Sequence, residues 1–220
     1  MAQHSQPHVW DAWPGWSTIT AHERSSFTLW FTGLAGTGKT TLADLVKKAL
    51  AVRGYKVEII AGQTLSRWLS QELHVEEQPK DDHRYGPGYD AFITYICSIL
   101  ARNGVITITT SVSPHQAARD FAREQLRQFI EVYLHCSEEQ RYDRLHRQEQ
   151  RQLAGEEHYQ PPIRAELSID TGSEAAERSA LRVISYLEQS GYIAPLWETT
   201  DTQEEIALMK ARLQALGYLD

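Results

Sequence analysis

The chain has 220 residues, 41% hydrophobic content and a formal net charge of −7, which fits one soluble α/β domain with extensions. The acidic balance argues against non-specific binding to nucleic acid or to an anionic membrane, since both need a basic field. No apolar run approaches a membrane span, and residues 1–8 carry no basic region followed by an apolar one. No membrane contact and no secretory signal are therefore expected, and the expected compartment is the reducing cytoplasm. The two cysteines, Cys97 and Cys136, lie in apolar segments and are read as free core thiols.

Residues 1–26 read as an N-terminal arm. Trp10, Trp13 and Trp16 recur every three residues, but Pro14-Gly15 interrupts any regular helix. These tryptophans either anchor the arm on the domain surface or form an oligomer contact. An apolar, β-rich run at 27–32 opens the domain proper, which is expected to span 27–194.

Directly after this strand comes Gly33-Leu34-Ala35-Gly36-Thr37-Gly38-Lys39-Thr40, followed by a helical pattern over 39–53. G-x-x-x-x-G-K-T between a strand and a helix is a phosphate-binding loop in its confirming context. The glycines let the backbone bend until its N–H groups face phosphate oxygens, and the helix start adds a positive dipole end. Lys39 is expected to reach the β/γ-phosphates of ATP, with Thr41 beside it and the Thr40 hydroxyl ligating Mg²⁺.

Gly54 closes that helix, and a second strand at 55–60 leads to the turn Ala61-Gly62-Gln63. A short helix around Leu65, Trp68, Leu69 and Leu73 precedes a polar, turn-rich loop at 74–89. A helix at 90–103, a strand at 105–109 and the turn Ser111–Pro114 follow. A helix at 115–128, a strand at 129–134 and a polar helix at about 138–154 come next. A loop at 155–165 and a short strand at 167–169 lead to a helix capped by Ser173 and ending before Gly191. Residues 195–220 read as a tail with an amphipathic helix through Ile206, Met209, Leu213 and Leu216. The alternation predicts a P-loop NTPase-type three-layer sandwich, a parallel sheet covered by helices on both faces. The ligand belongs at the carboxyl ends of the strands.

The chain resembles the adenylyl-sulfate kinases over nearly its whole length. The resemblance is carried by 29–43, by Ala101-Arg102-Asn103-Gly104, by Val112-Ser113-Pro114, by Arg119-Asp120, by 129–133, by Ile169-Asp170-Thr171 and by 183–192. It implies a P-loop kinase fold, ATP with Mg²⁺, and phosphoryl transfer to the ribose 3′-hydroxyl of adenylyl sulfate, a small-molecule acceptor. It also implies a homodimer. Arg144 matches the family arginine that packs against the ATP adenine, and Ser113 matches a serine that is phosphorylated in some relatives, though it is equally a turn residue before Pro114.

The departures fall on the acceptor side. Where the family has Asp-Gly-Asp and then an arginine, this chain has Ala61-Gly62-Gln63 and Ser66, with Arg67 one position late. Gln63 can orient a hydroxyl but cannot take its proton. The family's paired arginines appear as Ala91-Phe92, while Arg84 survives in the same region. His115 and Gln116 replace an aromatic and an arginine, and the family's Phe-Thr-Gly-Ile-Asp run is missing before Pro161-Pro162. Gln63, Arg84 and His115 are thus the candidate acceptor pocket. Asp81, Asp82 and Asp90 are carboxylates that could replace the missing base. The pattern fits a family kinase with an altered acceptor site, a kinase of another small hydroxyl compound, or a nucleotide-binding regulatory protein with little turnover.

Overall fold

The computed structural model describes residues 26–62, 64–65, 67–68, 87–147 and 158–195. Five strands, β1 (Thr28–Thr32), β2 (Val57–Ala61), β3 (Ile106–Thr110), β4 (Phe129–His135) and β5 (Leu167–Asp170), form one sheet in the order β2-β3-β1-β4-β5. All four pairings are parallel, with Phe31 opposite Thr110 on one side and Val132 on the other. Helices α1 (Lys39–Val52), α2 (Pro87–Arg102), α3 (Gln116–Gln125), α4 (Glu138–Arg147) and α5 (Ala176–Gln189) connect or flank them.

The central strand explains the layering. Every residue of β1 is buried, as expected for a parallel strand covered on both faces. Its side chains alternate between two cores. Leu29 and Phe31 join Leu42, Val46 and Leu50 of α1 and Val183 and Leu187 of α5. Trp30 points the other way, into a cluster with Tyr89, Ile93 and Cys97 of α2, Ala122 of α3, and Phe129. The sandwich of helix, sheet and helix is the architecture expected from the sequence. Among the described residues no helix is long and apolar enough to cross a membrane.

Several boundaries move, each for a local reason. The helix expected from residue 90 begins at Pro87, a residue suited to the first helical position because its missing N–H would have no partner there. The helix expected to reach 128 stops at Gln125, because Leu126 turns extended toward β4. Ser173 does not cap α5. Its hydroxyl donates to the Asp170 carbonyl at 2.9 Å, and Ala175 takes the N-cap position. Cys97 is buried and free, its thiol pushed up by burial to about 12, whereas Cys136 is free but only half-buried. The arm through residue 25, the tail from 196, and most of the helix and loop expected at 65–89 lie outside the described residues.

One buried side chain braces the end of the sheet that carries the site. Arg119 is 1% exposed, and its Nε donates to Glu131 Oε1 of β4 at 2.7 Å. Its Nη1 donates to the Ser113 carbonyl at 2.6 Å, and its Nη2 to Gln116 Oε1 at 2.7 Å and the Gln160 carbonyl at 2.6 Å. Its guanidinium also lies 5.8 Å from the Tyr159 ring centre. Removing one partner of such a pair leaves a buried charge uncompensated, so Arg119→Ala should lower stability by about 3–5 kcal/mol in urea unfolding. Arg119→Lys should recover little of that loss, because an ammonium cannot reproduce the planar fork.

Candidate active site

The loop at 33–38 leaves the sheet between β3 and β4, where the strand order reverses. Its shape depends on two glycines held at positive φ against a neighbouring backbone. Gly33 has φ 144, and a Cβ there would collide with the Leu134 carbonyl of β4. Gly36 has φ 80, and a Cβ there would come within 2.8 Å of the Arg141 carbonyl of α4. Gly38, at φ 87, is the N-cap of α1, and its carbonyl accepts the first helical bond from Leu42 N at 3.0 Å.

Each carbonyl from 33 to 37 has a side-chain donor. Lys39 Nζ donates to the Gly33 and Leu34 carbonyls at 2.7 and 2.8 Å, and Thr37 Oγ1 donates to Leu34 O at 2.8 Å. Arg141 Nη1 donates to Ala35 O at 3.3 Å, and Arg144 Nη1 to Gly36 O at 3.2 Å. Thr171 Oγ1, just past β5, donates to Thr37 O at 3.0 Å. The loop's carbonyls are thus occupied, while the N–H groups opening α1 have no acceptor within the helix. A strand-to-helix loop in this state suits an anion.

Arg144 is held at this loop by several contacts. Besides Gly36, its Nη2 donates to Thr171 O at 2.8 Å and its Nη1 to Thr171 Oγ1 at 3.1 Å. Arg141 and Thr171 were not singled out by the sequence reading. The signal for Arg141 was its spacing of three residues before Arg144, and for Thr171 its place in the Ile169-Asp170-Thr171 match.

Thr40 and Thr41 are exposed at the start of α1. Among the described residues no group of three or more His, Cys, Asp or Glu could hold a metal ion. A single hydroxyl such as that of Thr40 suits Mg²⁺ that arrives on nucleotide phosphates and keeps several waters, rather than a metal caged by protein.

The second side of the site is built from the turns after β2 and β3. Gly62 packs closely on Ser111, whose Cα would lie 3.1 Å from a Cβ at 62. Thr32 Oγ1 donates to Val112 O at 2.7 Å, which ties the turn after β3 to the strand that feeds the phosphate loop. Ser113 is fully buried at φ 43, the only non-glycine residue at positive φ among those described. Its hydroxyl accepts from Trp30 Nε1 at 3.2 Å and donates to Asp90 Oδ1 at 2.8 Å. Its hydroxyl is thus an inward strut of the turn.

His115 stands half-buried at the N-cap of α3 with no side-chain capping bond. Gln63 and Arg84, the other two candidates for the acceptor pocket, lie outside the described residues, as do Asp81 and Asp82. Where the family's paired arginines would stand, Ala91 is buried and Phe92 is exposed.

Asp90 is placed unlike a solvated loop carboxylate. It is 1% exposed, and among the described residues its Oδ2 has no hydrogen-bond partner. Burial raises its carboxyl from the ordinary 3.8 to about 7, against the lowering pull of the Ser113 hydrogen bond and the Arg119 charge.

The topology and this loop define a P-loop kinase. The adenylylsulphate kinase family matches residues 25–170. The adenylyl-sulfate kinase of Halothermothrix orenii is 34% identical over 175 residues, covering 76% of this chain and 91% of that one. A probable adenylyl-sulfate kinase of Pyrococcus abyssi is 34% identical over 176 residues, covering 76% and 98%. The structure of the Mycobacterium tuberculosis APS kinase in complex with AMPPNP and APS superposes with a TM-score of 0.62 at 22% identity, covering 74% of this chain and 98% of that one. The chain belongs to the adenylylsulphate kinase family, a family of phosphotransferases.

The Asp90 carboxyl sets a pH dependence of stability. Between about pH 4 and pH 7 the folded chain keeps a proton that the unfolded chain has lost, so stability falls as pH rises through that window. The fall should be on the order of 4 kcal/mol, from about 1.4 kcal/mol for each pH unit by which the carboxyl is raised. Urea unfolding across pH 4–8 should show it in the wild type and show it reduced in Asp90→Asn.

Proposed function

We propose that this protein is an ATP-dependent phosphotransferase of the adenylyl-sulfate kinase type whose acceptor site is altered. The observation that carries the donor half is the loop at 33–38, whose carbonyls are all engaged while the N–H groups at the head of α1 remain for phosphate. Lys39 would leave the Gly33 and Leu34 carbonyls for the β- and γ-phosphates, and the Thr40 hydroxyl would hold Mg²⁺, which would supply positive charge beside the phosphates. With both Nη groups of Arg144 bonded to Gly36 and Thr171, its flat face is what an adenine ring would meet.

The acceptor half is supported by substitution. Ala91 and Phe92 supply no positive charge where the family grips an anionic substrate, and Gln63 supplies no base. Asp90 is committed to Ser113 beneath the surface. An acceptor less anionic than adenylyl sulfate suits these residues. An intact Lys39 and Thr40 with Gln63 in place of a base also favours a second reading, a nucleotide-binding regulatory protein with little turnover.

Lys39→Ala should weaken ATP binding about 10- to 100-fold in titration calorimetry, the value of losing charge-assisted hydrogen bonds. Unchanged affinity would remove the donor half. ADP release should be slow with adenylyl sulfate and faster with some member of a panel of neutral hydroxyl compounds. Turnover of adenylyl sulfate at rates typical of kinases would overturn the altered acceptor site.

If the base alone is missing, Gln63→Asp should raise adenylyl-sulfate turnover by about 10²- to 10⁴-fold, the usual contribution of a positioned base. No response would place the loss in substrate binding as well.

A further inference from the structure

Alternate side chains of β4 face α3, and they change character along the strand. Phe129 lies in the second core, and Glu131 is buried in its ion pair with Arg119. Tyr133 and His135, the last two on that face, are half-buried. Tyr159 stacks on Tyr133, with ring centres 6.2 Å apart and planes 20° from parallel. Tyr133 meets His135 at 5.2 Å between ring centres, and the Arg119 guanidinium lies 5.8 Å from the Tyr159 ring centre. The contacts thus run in series from a buried guanidinium to a half-buried imidazole.

The backing of this series is fixed. Thr32 gives its hydroxyl proton to Val112 O, so the Tyr159 hydroxyl donates to Thr32 Oγ1, at 3.1 Å. The next residue, Gln160, is tied to the segment after β3. Its N donates to Pro114 O at 2.9 Å, and its Oε1 accepts from Gln116 N at 2.8 Å. Rings already held in place cost a ligand little ordering.

The same rings abut the phosphate end of the site. Thr32, which meets Tyr159, is the residue before Gly33, and it pairs with Tyr133 across the sheet. Gly33 sits so close to the Leu134 carbonyl, between Tyr133 and His135, that a Cβ would collide with it. The Gly33 carbonyl in turn accepts from Lys39 Nζ at 2.7 Å. Gly33 alone therefore stands between the phosphate lysine and the strand segment that carries both rings. A phosphoryl acceptor must bring its hydroxyl to the phosphate that this lysine meets, at the carboxyl ends of the strands.

We propose that Tyr133 and His135 form a stacking platform for a planar ring of the acceptor, with Tyr159 as its backing. This inference rests on the reading that the protein transfers phosphate at this loop, and it names a substrate class: a hydroxyl compound with a heteroaromatic ring, as in a neutral nucleoside. A nucleobase stacks on aromatic side chains and needs no cation beneath it. That suits a site with Ala91 and Phe92 in place of paired arginines.

Adenosine is the probe, titrated by calorimetry into the full chain with the ATP site filled by AMPPNP and Mg²⁺. His135→Ala should weaken adenosine binding about tenfold, the value of one base–aromatic stack. His135→Phe, which restores a ring, should recover most of that loss, and the affinity for AMPPNP should not change in either variant. In proton NMR the His135 ring signals, assigned by their absence from His135→Ala, should move upfield with adenosine. They should stay in place with inositol, a hydroxyl compound without a flat ring. Equal adenosine affinity in His135→Ala, no recovery in His135→Phe, or no adenosine binding by the AMPPNP-filled chain would overturn the platform.

ADP release from ATP separates this inference from the reading beneath it. Adenosine bound as expected, with no hydroxyl compound phosphorylated, would support the platform and sink the phosphotransfer. ADP release with inositol and not with adenosine would support the phosphotransfer and sink the platform.

Discussion

The interaction on which the rest of the structure depends is the engagement of the phosphate loop's carbonyls by side chains from elsewhere in the chain. Lys39 closes the loop on itself at Gly33 and Leu34. Arg141 and Arg144 of α4 take Ala35 and Gly36, and Thr171 past β5 takes Thr37. A backbone carbonyl left buried without a donor costs free energy comparable to a lost hydrogen bond. These donors therefore permit a tight loop to sit at the centre of the sheet. They also make the loop a shared property of β1, α1, α4 and the turn after β5.

The two sides of the site are held by different kinds of buried charge. Arg119 spends its guanidinium on partners in α3, β4 and the segment at 160, which suits a planar group with five donors. Asp90 has one good hydrogen bond and one oxygen with none. A cation with several partners makes a rigid brace, whereas the carboxyl is tied by a single hydrogen bond from Ser113. Both meet at Ser113, Arg119 at its carbonyl and Asp90 at its hydroxyl. The turn is thus held at its carbonyl by a cation and at its hydroxyl by a carboxyl.

Much of the fold was legible in the sequence, because it rests on local signals. Alternating strand and helix patterns predicted the parallel sheet, and the spacing of Gly33, Gly38, Lys39 and Thr40 marked the loop between β1 and α1. Gly54 and Gly191 sit at positive φ just past their helices, as their positions suggested. Where local signals misled, a competing contact explains it. Ser173 looked like a helix cap, but its hydroxyl was claimed by Asp170 O, three residues back. The Ser113 hydroxyl, in the turn before Pro114, accepts from Trp30 Nε1 and donates to Asp90 Oδ1.

The sequence by itself determined the family and the chemistry of the donor loop. A phosphate loop is contiguous, so its glycines, lysine and threonine appear together in one stretch, and no long-range contact is needed to recognise them. Only the tertiary structure decided which side chains satisfy that loop. Thr171 lies 134 positions from Thr37, and Arg144 lies 108 from Gly36. It alone distinguished Asp90 from an ordinary surface carboxylate. The physical reason is that burial is made by the whole fold: Ser113, in the turn after β3, meets that carboxyl and Arg119 of α3 acts on it, and nothing in the neighbouring residues of α2 announces them.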